Sequence, residues 1–350
     1  MDVKITKKRF FNLIAYDWIK IVAFSVAVIL LWTLLFTTCA TRATDGQQFH
    51  FAVYGDVYSV GEKDYEMLRD MKDDGDLSYD VLSYSVGSIT KAGNYSAQYM
   101  LSLRNSTYEA DVLLLYAGKT NKVIGEETED ADGAGTDETT EEEKSSDIES
   151  ILSGNGTIQT VEDLLDGARN YLMKFGADFD SAEPTVDDDL IEKYFRTTRI
   201  KEARNYKKTY KTESVIADGV KNEQARIRKL LDAYLHLSEV INAVKGGEND
   251  FLRYYMKPVY ERGEVVRKDK KAYGIDLTAL NKFVTEDDKA NGKQMVSDRW
   301  YYVDEDENGK QITSTEGITL CVSDYTSVQR ELQYEAVTFL DYIVRNFSNY

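Results

Sequence analysis

The segment Ile21–Ala40, IVAFSVAVILLWTLLFTTCA, constrains this chain more than any other feature, because its twenty residues carry no charge. An α-helix rises about 1.5 Å per residue, so twenty helical residues span about 30 Å, the thickness of the hydrocarbon core of a bilayer. The chain of 350 residues becomes polar after this segment. The sequence therefore predicts one transmembrane helix followed by a globular part.

The distribution of cations around this segment predicts its orientation. Several cations precede it, whereas Arg42 is the one that closely follows it. Lys and Arg concentrate on the cytoplasmic side of membranes, so we expect a cytoplasmic N-terminus and an extracytoplasmic C-terminal domain. A cleaved signal peptide is the alternative, but its apolar core is usually shorter, and Ala40–Ala43 is a weak cleavage site. We therefore favour an uncleaved signal anchor in the cell membrane.

Composition narrows the classes of function. The net charge of −18 includes a run, Glu126–Glu149, with twelve acidic residues and one lysine, a net charge of −11. Such a run has little to bury and predicts a disordered acidic loop, and a chain with this charge is not expected to bind nucleic acid. Two cysteines and two histidines supply neither a disulfide framework nor a histidine-based metal site. We predict no enzyme activity, no metal and no cofactor.

The residues after the anchor alternate between strand and helix patterns. Phe49–Tyr58 and Leu77–Val86 read as strands, Gly61–Lys72 and Lys91–Arg104 as helices, and Ala110–Tyr116 as a strand buried on both faces. This alternation is typical of a parallel sheet with crossover helices. The predicted fold is α/β: a transmembrane helix, then an extracytoplasmic domain with a parallel or mixed sheet.

A long helical insertion interrupts this pattern after the acidic run. Asp187–Lys211 and Gly219–Lys245 read as two long helices, and His236, beside the apolar stripe of the second, is interpreted as structural. A hairpin around Asp304–Gly309, a buried strand at Ile318–Val322 and a final amphipathic helix follow. The expected organisation is a cytoplasmic tail (1–20), a transmembrane helix (21–40), a first α/β lobe (41–124), an acidic disordered loop (125–150), a helical region (151–270) and a C-terminal α/β part (271–350).

Polar and aromatic residues at the predicted strand ends are the candidate binding residues. In an open parallel sheet, ligands bind outside the carboxyl ends of the strands. Tyrosine rings there could stack on a ligand, and short polar side chains could orient it. Ordinary strand-to-helix turns would give the same composition and remain the alternative. The candidate residues are Tyr54, Asp56, Tyr84, Ser88 and Tyr116.

Several stretches together resemble a family. The cationic tail, the single span, FAVYGDVY at 51–58, QYMLSLRNSTYEADVLLL at 98–115, YGIDLTALNKF at 273–283 and ITLCVSDYT at 318–326 resemble membrane-anchored extracellular solute-binding proteins. The resemblance implies a two-lobed, type 2 periplasmic-binding-like fold with a ligand cleft. The long helices and the acidic insertion depart from the pattern of that family.

These observations predict a membrane-anchored, extracytoplasmic ligand-binding protein of the solute-binding type without enzyme activity. The alternative is a structural or interaction protein of the cell envelope that uses the helical pair Asp187–Lys245 as its contact surface. The expected partners are the lipid bilayer, through the N-terminal helix, and a small-molecule ligand or a membrane protein.

Overall fold

The computed structural model describes most of the chain apart from several segments. The described residues are 18–20, 22–34, 47–54, 57–58, 63–79, 81–89, 99, 101, 103, 111–117, 123–124, 151–152, 158–202, 206–305, 308–324 and 335–350. The chain forms two compact units, Met1–Arg42 and Ala43–Tyr350. The predicted acidic loop, most of the predicted helix Lys91–Arg104 and the candidate Asp56 lie outside the described residues.

In the first unit, residues 18–20 and 22–34 are helical. Their large apolar side chains are exposed, among them Phe24, Leu30 and Trp32. None of the helices in the described part of the chain has both the length and the hydropathy that crossing a membrane requires. The transmembrane helix therefore stays a prediction from the sequence.

The second unit is built around a mixed sheet, which confirms the α/β class. The strand order is β3-β1-β4-β10-β7-β6, and β5 pairs with β10. β1 pairs in parallel with β3 and β4, whereas β10 is antiparallel to both β4 and β7, and β6 is antiparallel to β7. The strands are β1 (Gln48–Tyr54), β2 (Val57–Tyr58), β3 (Ser83–Ile89), β4 (Val112–Tyr116), β5 (Ile158–Gln159), β6 (Leu252–Glu261), β7 (Glu264–Asp276), β8 (Tyr301–Glu305), β9 (Gln311–Ser314) and β10 (Ile318–Ser323).

The second unit also contains helices, some of which pack against the sheet. They are α1 (Lys63–Asp73), α2 (Val161–Met173), α3 (Asp188–Tyr194), α4 (Ile200–Glu202), α5 (Tyr206–Thr209), α6 (Glu213–Val244), α7 (Leu277–Asn281), α8 (Glu286–Ala290) and α9 (Glu335–Phe347), with a π-helix at Phe195–Arg199 and a 3₁₀-helix at Val296–Asp298. The structure confirms four elements that the sequence predicted. They are the strand that ends at Tyr116, the hairpin of β8 and β9, the buried strand β10 and the last amphipathic helix.

The core lies between the sheet and the long helices. The Phe51 ring stacks on Trp300 with 5.6 Å between centroids, and the Trp300 indole N–H donates to Asp64 Oδ1 at 2.5 Å. His236 of α6 lies 2.5 Å from Asp341 of α9, joining the two helices as a structural contact. Burial of these large rings stabilises the fold, because the hydrophobic effect scales with the apolar area removed from water.

The predicted strand Leu77–Val86 is displaced, since β3 runs from Ser83 to Ile89. Leu77 and Val81 are buried, but they belong to the loop after α1, where Leu77 N–H donates to Met71 O at 3.0 Å. The alternation that suggested a strand therefore came from loop residues that pack on the core. A buried loop residue and a strand residue give the same local pattern.

The predicted helical region 151–270 is wrong beyond α6, because β6 and β7 form a long hairpin. Its turn is Arg262-Gly263, with φ values of 54° and 89°. Two positive φ values are the signature of a type I′ turn, which matches the twist of paired strands. The predicted helix Asp187–Lys211 is also divided, since a π-helix at Phe195–Arg199 follows α3.

Candidate functional site

A cavity of about 340 Å³ opens among the loop after α1, the middle of α6 and the first turn of α9. The charged residues that line it are Lys72, Asp76, Arg226, Lys229 and Glu335. The volume is at the lower end of the roughly 300–1,000 Å³ that small-molecule sites occupy. We take this cavity as the candidate binding site.

The loop that forms one wall is fixed by the end of α1. Gly75 has a φ of 74°, and the Asp76 N–H donates to Met71 O at 2.6 Å. A glycine with positive φ commonly ends a helix in this way and turns the chain back over its last turn. Two lysines hold the loop: Lys72 Nζ donates to Ser78 O at 2.9 Å, and Lys229 Nζ donates to Gly75 O at 2.7 Å.

The first turn of α9 forms the opposite wall. Glu335 Oε2 accepts the Ser78 backbone N–H at 3.1 Å, which joins this helix to the loop after α1. The Thr338 hydroxyl, which also lines the cavity, donates to Glu335 O at 2.9 Å. Three separate parts of the chain therefore meet at the cavity and are connected there by hydrogen bonds.

A buried charge network supports the α6 wall. Arg226 donates to Glu223 from Nε at 3.2 Å and from Nη2 at 2.7 Å, and Nη2 also donates to the Tyr171 hydroxyl at 2.6 Å. The Tyr79 hydroxyl donates to Glu223 Oε2 at 2.7 Å. Arg199, from the π-helix, places its Nε 3.7 Å from the same oxygen. Glu223 is thus shared by two guanidinium groups and a phenol.

These contacts change the ionisation of the buried groups. Burial by itself raises the pKa of Glu223, but the charge and hydrogen bonds of Arg226 and the charge of Arg199 outweigh it and lower that pKa to about 2. Burial raises the pKa of Tyr171, partly offset by Arg226. Glu223 and Arg226 are therefore both charged at neutral pH, and each is held by the other.

The residues of α6 that line the cavity recur at helical spacing. Asn222, Arg226 and Lys229 are four and three residues apart, so they lie on one face along about 10 Å of helix. Ala225 lies on the same wall and is exposed. This face presents an amide and two cations to the cavity from one rigid element.

The candidate residues from the sequence lie elsewhere. The cavity is near the amino end of β3, since Leu77–Tyr79 precede that strand. Tyr54 and Ser88 lie near the carboxyl ends of β1 and β3, and Tyr116 ends β4. Tyr84 pairs with Phe49, five residues before the Tyr54–Ile89 pair, which places it about 16 Å toward the amino end. The structure therefore separates Tyr84 from the other described candidates.

The small second sheet lies next to the carboxyl ends of β1 and β4. Its order is β2-β8-β9, and β2 begins three residues after Tyr54. Tyr302 of β8 is buried and meets the Tyr116 ring edge to face, with 5.1 Å between centroids. Tyr54 is buried, and Tyr116 is partly buried. These rings pack among protein groups, and the five residues remain a prediction as a binding site.

Sequence reasoning did not find Arg226, which lines the cavity, or Glu223, its buried partner. Glu223 and Arg226 were hidden in a helix whose apolar stripe identified the core face. Both are buried on that helix, with Glu223 fully buried. The available signal was a pair of opposite charges, three residues apart and beside the apolar stripe. Such a pair can be buried on a helix, because charged side chains are rarely buried unless they are paired. Comparison with protein-family models, with characterised proteins and with solved structures gives no match for this chain.

Proposed function

We propose that this protein is a membrane-anchored, extracytoplasmic binding protein for a small molecule, without enzyme activity. The observation that carries the proposal is the cavity between the loop after α1, α6 and α9, with charged side chains on its walls. Those side chains are held by ion pairs and backbone hydrogen bonds, so they are preorganised to contact a ligand without reordering. Preorganised polar groups in a concave site are typical of small-molecule binding.

The membrane anchor is supported by the sequence and by the first unit. Ile21–Ala40 is uncharged and long enough to span a bilayer as a helix. Its described helical residues expose apolar side chains. Cations before the segment favour a cytoplasmic N-terminus. We propose that the second unit lies outside the cell membrane. Protease added to intact cells should then remove a tag fused after Tyr350, and protection of that tag would refute this orientation.

Ligand binding is tested by a thermal-shift screen of small polar solutes on the full-length protein in detergent. A ligand that binds only the folded state stabilises it, by about 2.7 kcal/mol at a hundred times its Kd. We expect at least one solute to raise the unfolding temperature of the wild type. Failure of every solute would count against the binding function.

Two variants, each with an alanine of α6 replaced by tryptophan, test whether the solute binds in the cavity. Ala225→Trp puts a bulky ring in the cavity wall and should abolish the stabilisation. Ala243→Trp is the matched control, because Ala243 is also exposed on this helix but is not among the cavity residues. A solute that stabilises both variants equally would bind outside the cavity.

An interaction protein of the cell envelope remains a second candidate, supported by the distal part of the β6–β7 hairpin. Tyr260 and Val265 are cross-strand neighbours there, and each is at least half exposed. Lys257–Lys271 holds six cations and three acids, a net charge of +3, in a chain of −18. A photo-crosslinking residue at Tyr260, but not at exposed Ile312, should give a discrete adduct in intact cells. Equal labelling from both positions would remove this support.

A further inference from the structure

We infer that the cavity binds a small zwitterion, with the carboxylate of the ligand on Arg226 and Lys229 and its ammonium group on Glu335. This inference rests on the proposed binding function and names the chemical class of the ligand. Its starting point is the buried guanidinium of Arg226 in the cavity wall, whose Nη1 atom lies 3.5 Å from Oε1 of Glu335, another cavity residue.

Arg226 is more than nine-tenths buried, yet it keeps donor capacity. Its Nε and Nη2 atoms donate to Glu223 and to the Tyr171 hydroxyl. Its Nη1 atom lies 3.5 Å from Glu335 Oε1, which is beyond the usual 2.7–3.2 Å of an N–H···O bond. Within the part of the chain that the structure describes, Nη1 therefore has N–H groups to offer to a carboxylate oxygen.

Lys229 provides the second cation. It is three residues after Arg226 on α6, about 4.5 Å further along the helix axis. Its ammonium group has three N–H donors. One donates to Gly75 O at 2.7 Å and another contacts Asp76 Oδ1, so a third can reach a ligand. Together, Arg226 and Lys229 can engage the two oxygens of one carboxylate.

Glu335 supplies the opposite charge. Its Oε1 atom lies beside Arg226 Nη1, and its Oε2 atom accepts the Ser78 N–H at 3.1 Å. Glu335 keeps these partners, and its negative charge attracts an ammonium group that lies beside it in the cavity. The ammonium group of the ligand would thus lie next to Arg226 and Lys229, the two residues that bind the carboxylate of the same ligand.

The balance of charge favours a zwitterion over a simple ion. Three cations and two acids line the cavity, and Glu223 lies directly behind Arg226. A ligand with only a carboxylate would come close to Glu335 without compensation, and a ligand with only an amine would come close to Arg226. Like charges at such distances disfavour binding. A molecule with both groups meets both signs, and the cavity volume limits it to a small one.

The test compares three probes that share a four-carbon chain: 4-aminobutyrate, butyrate and butylamine. L-Alanine and β-alanine are added as zwitterions with shorter separations between the charges. Each is titrated into the full-length protein in detergent by calorimetry. We expect at least one zwitterion to bind at least tenfold more tightly than butyrate or butylamine. Lys229→Gln should weaken that zwitterion about tenfold, whereas Lys221→Gln, an exposed lysine on the same helix, should not.

The outcomes separate this inference from the function it rests on. If butyrate binds as tightly as the best zwitterion, the zwitterion inference is refuted and the cavity is an anion site. If none of these probes binds, but another solute from the general screen binds and is blocked by Ala225→Trp, the ligand class is wrong and the binding function stands. If no solute binds the wild type at all, both fail.

Discussion

Replacing Glu223 with glutamine should destabilise the fold strongly, because it removes the shared anion of the buried network. Arg226 and Arg199 would lose their closest carboxylate while remaining buried. Removing one partner of a buried ion pair typically costs about 3–5 kcal/mol, since the other charge is left uncompensated. Total stabilities of 5–15 kcal/mol make such a loss a large fraction of the whole.

The pKa of Glu223 gives a second route to the same magnitude. It falls from 4.5 to about 2 on folding. At about 1.4 kcal/mol per pH unit, this corresponds to about 3 kcal/mol of stability. Because the folded pKa is the lower one, the contribution is complete above pH 4.5 and is lost as the pH falls toward 2. The wild type and Glu223→Gln should therefore differ most at neutral pH and converge in acid.

The assay is guanidinium unfolding of the full-length protein in detergent, followed by the fluorescence of tryptophan, including buried Trp300. We expect Glu223→Gln to lose about 3–5 kcal/mol at pH 7 and clearly less at pH 3. Glu213→Gln is the matched control, because Glu213 also pairs with an arginine, Arg196 at 2.5 Å, but is exposed. It should change little. A loss below about 1 kcal/mol for Glu223→Gln, or a loss independent of pH, would refute the reasoning.

Two further predictions concern the sheet. Gly274→Ala should destabilise the protein by about 1–3 kcal/mol, because the new Cβ would lie 2.5 Å from Leu320 O. Gly247→Ala is the control and should change stability little, because the nearest atom to its Cβ is 3.4 Å away. Equal unfolding midpoints for the two variants would contradict this packing. Cys321 should resist maleimide in a Cys39→Ala background until denaturant is added, since it is fully buried and burial raises its thiol pKa; rapid labelling of the folded protein would show that β10 opens.

The sequence was informative where a local pattern had one physical cause. The continuous apolar run of β4 is buried on both faces, and the amphipathic α9 packs its apolar side chains on the core. The hairpin of β8 and β9 followed from turn chemistry around Asn308-Gly309. In these elements, periodicity and burial agree, so the pattern alone predicts the structure.

Other elements depended on contacts that are distant in the sequence. Leu77 and Val81 alternate like a strand but are buried as loop residues after α1. The π-helix after α3 is fixed by tertiary packing, because Phe195 lies where Gly219 leaves room: a Cβ there would be 2.4 Å from the ring. The cavity was not predictable for the same reason. Its walls come from Asp76, Arg226 and Glu335, which only the fold brings together.

A crystal structure of the full-length protein with a solute that stabilises the wild type is the most direct test of the binding claim. We predict electron density for the ligand between Arg226, Lys229 and Glu335, in the cavity walled by α6 and α9. Density at the carboxyl ends of β1 and β4 instead, beside Tyr54 and Tyr116, would contradict this site and favour the one predicted from the sequence.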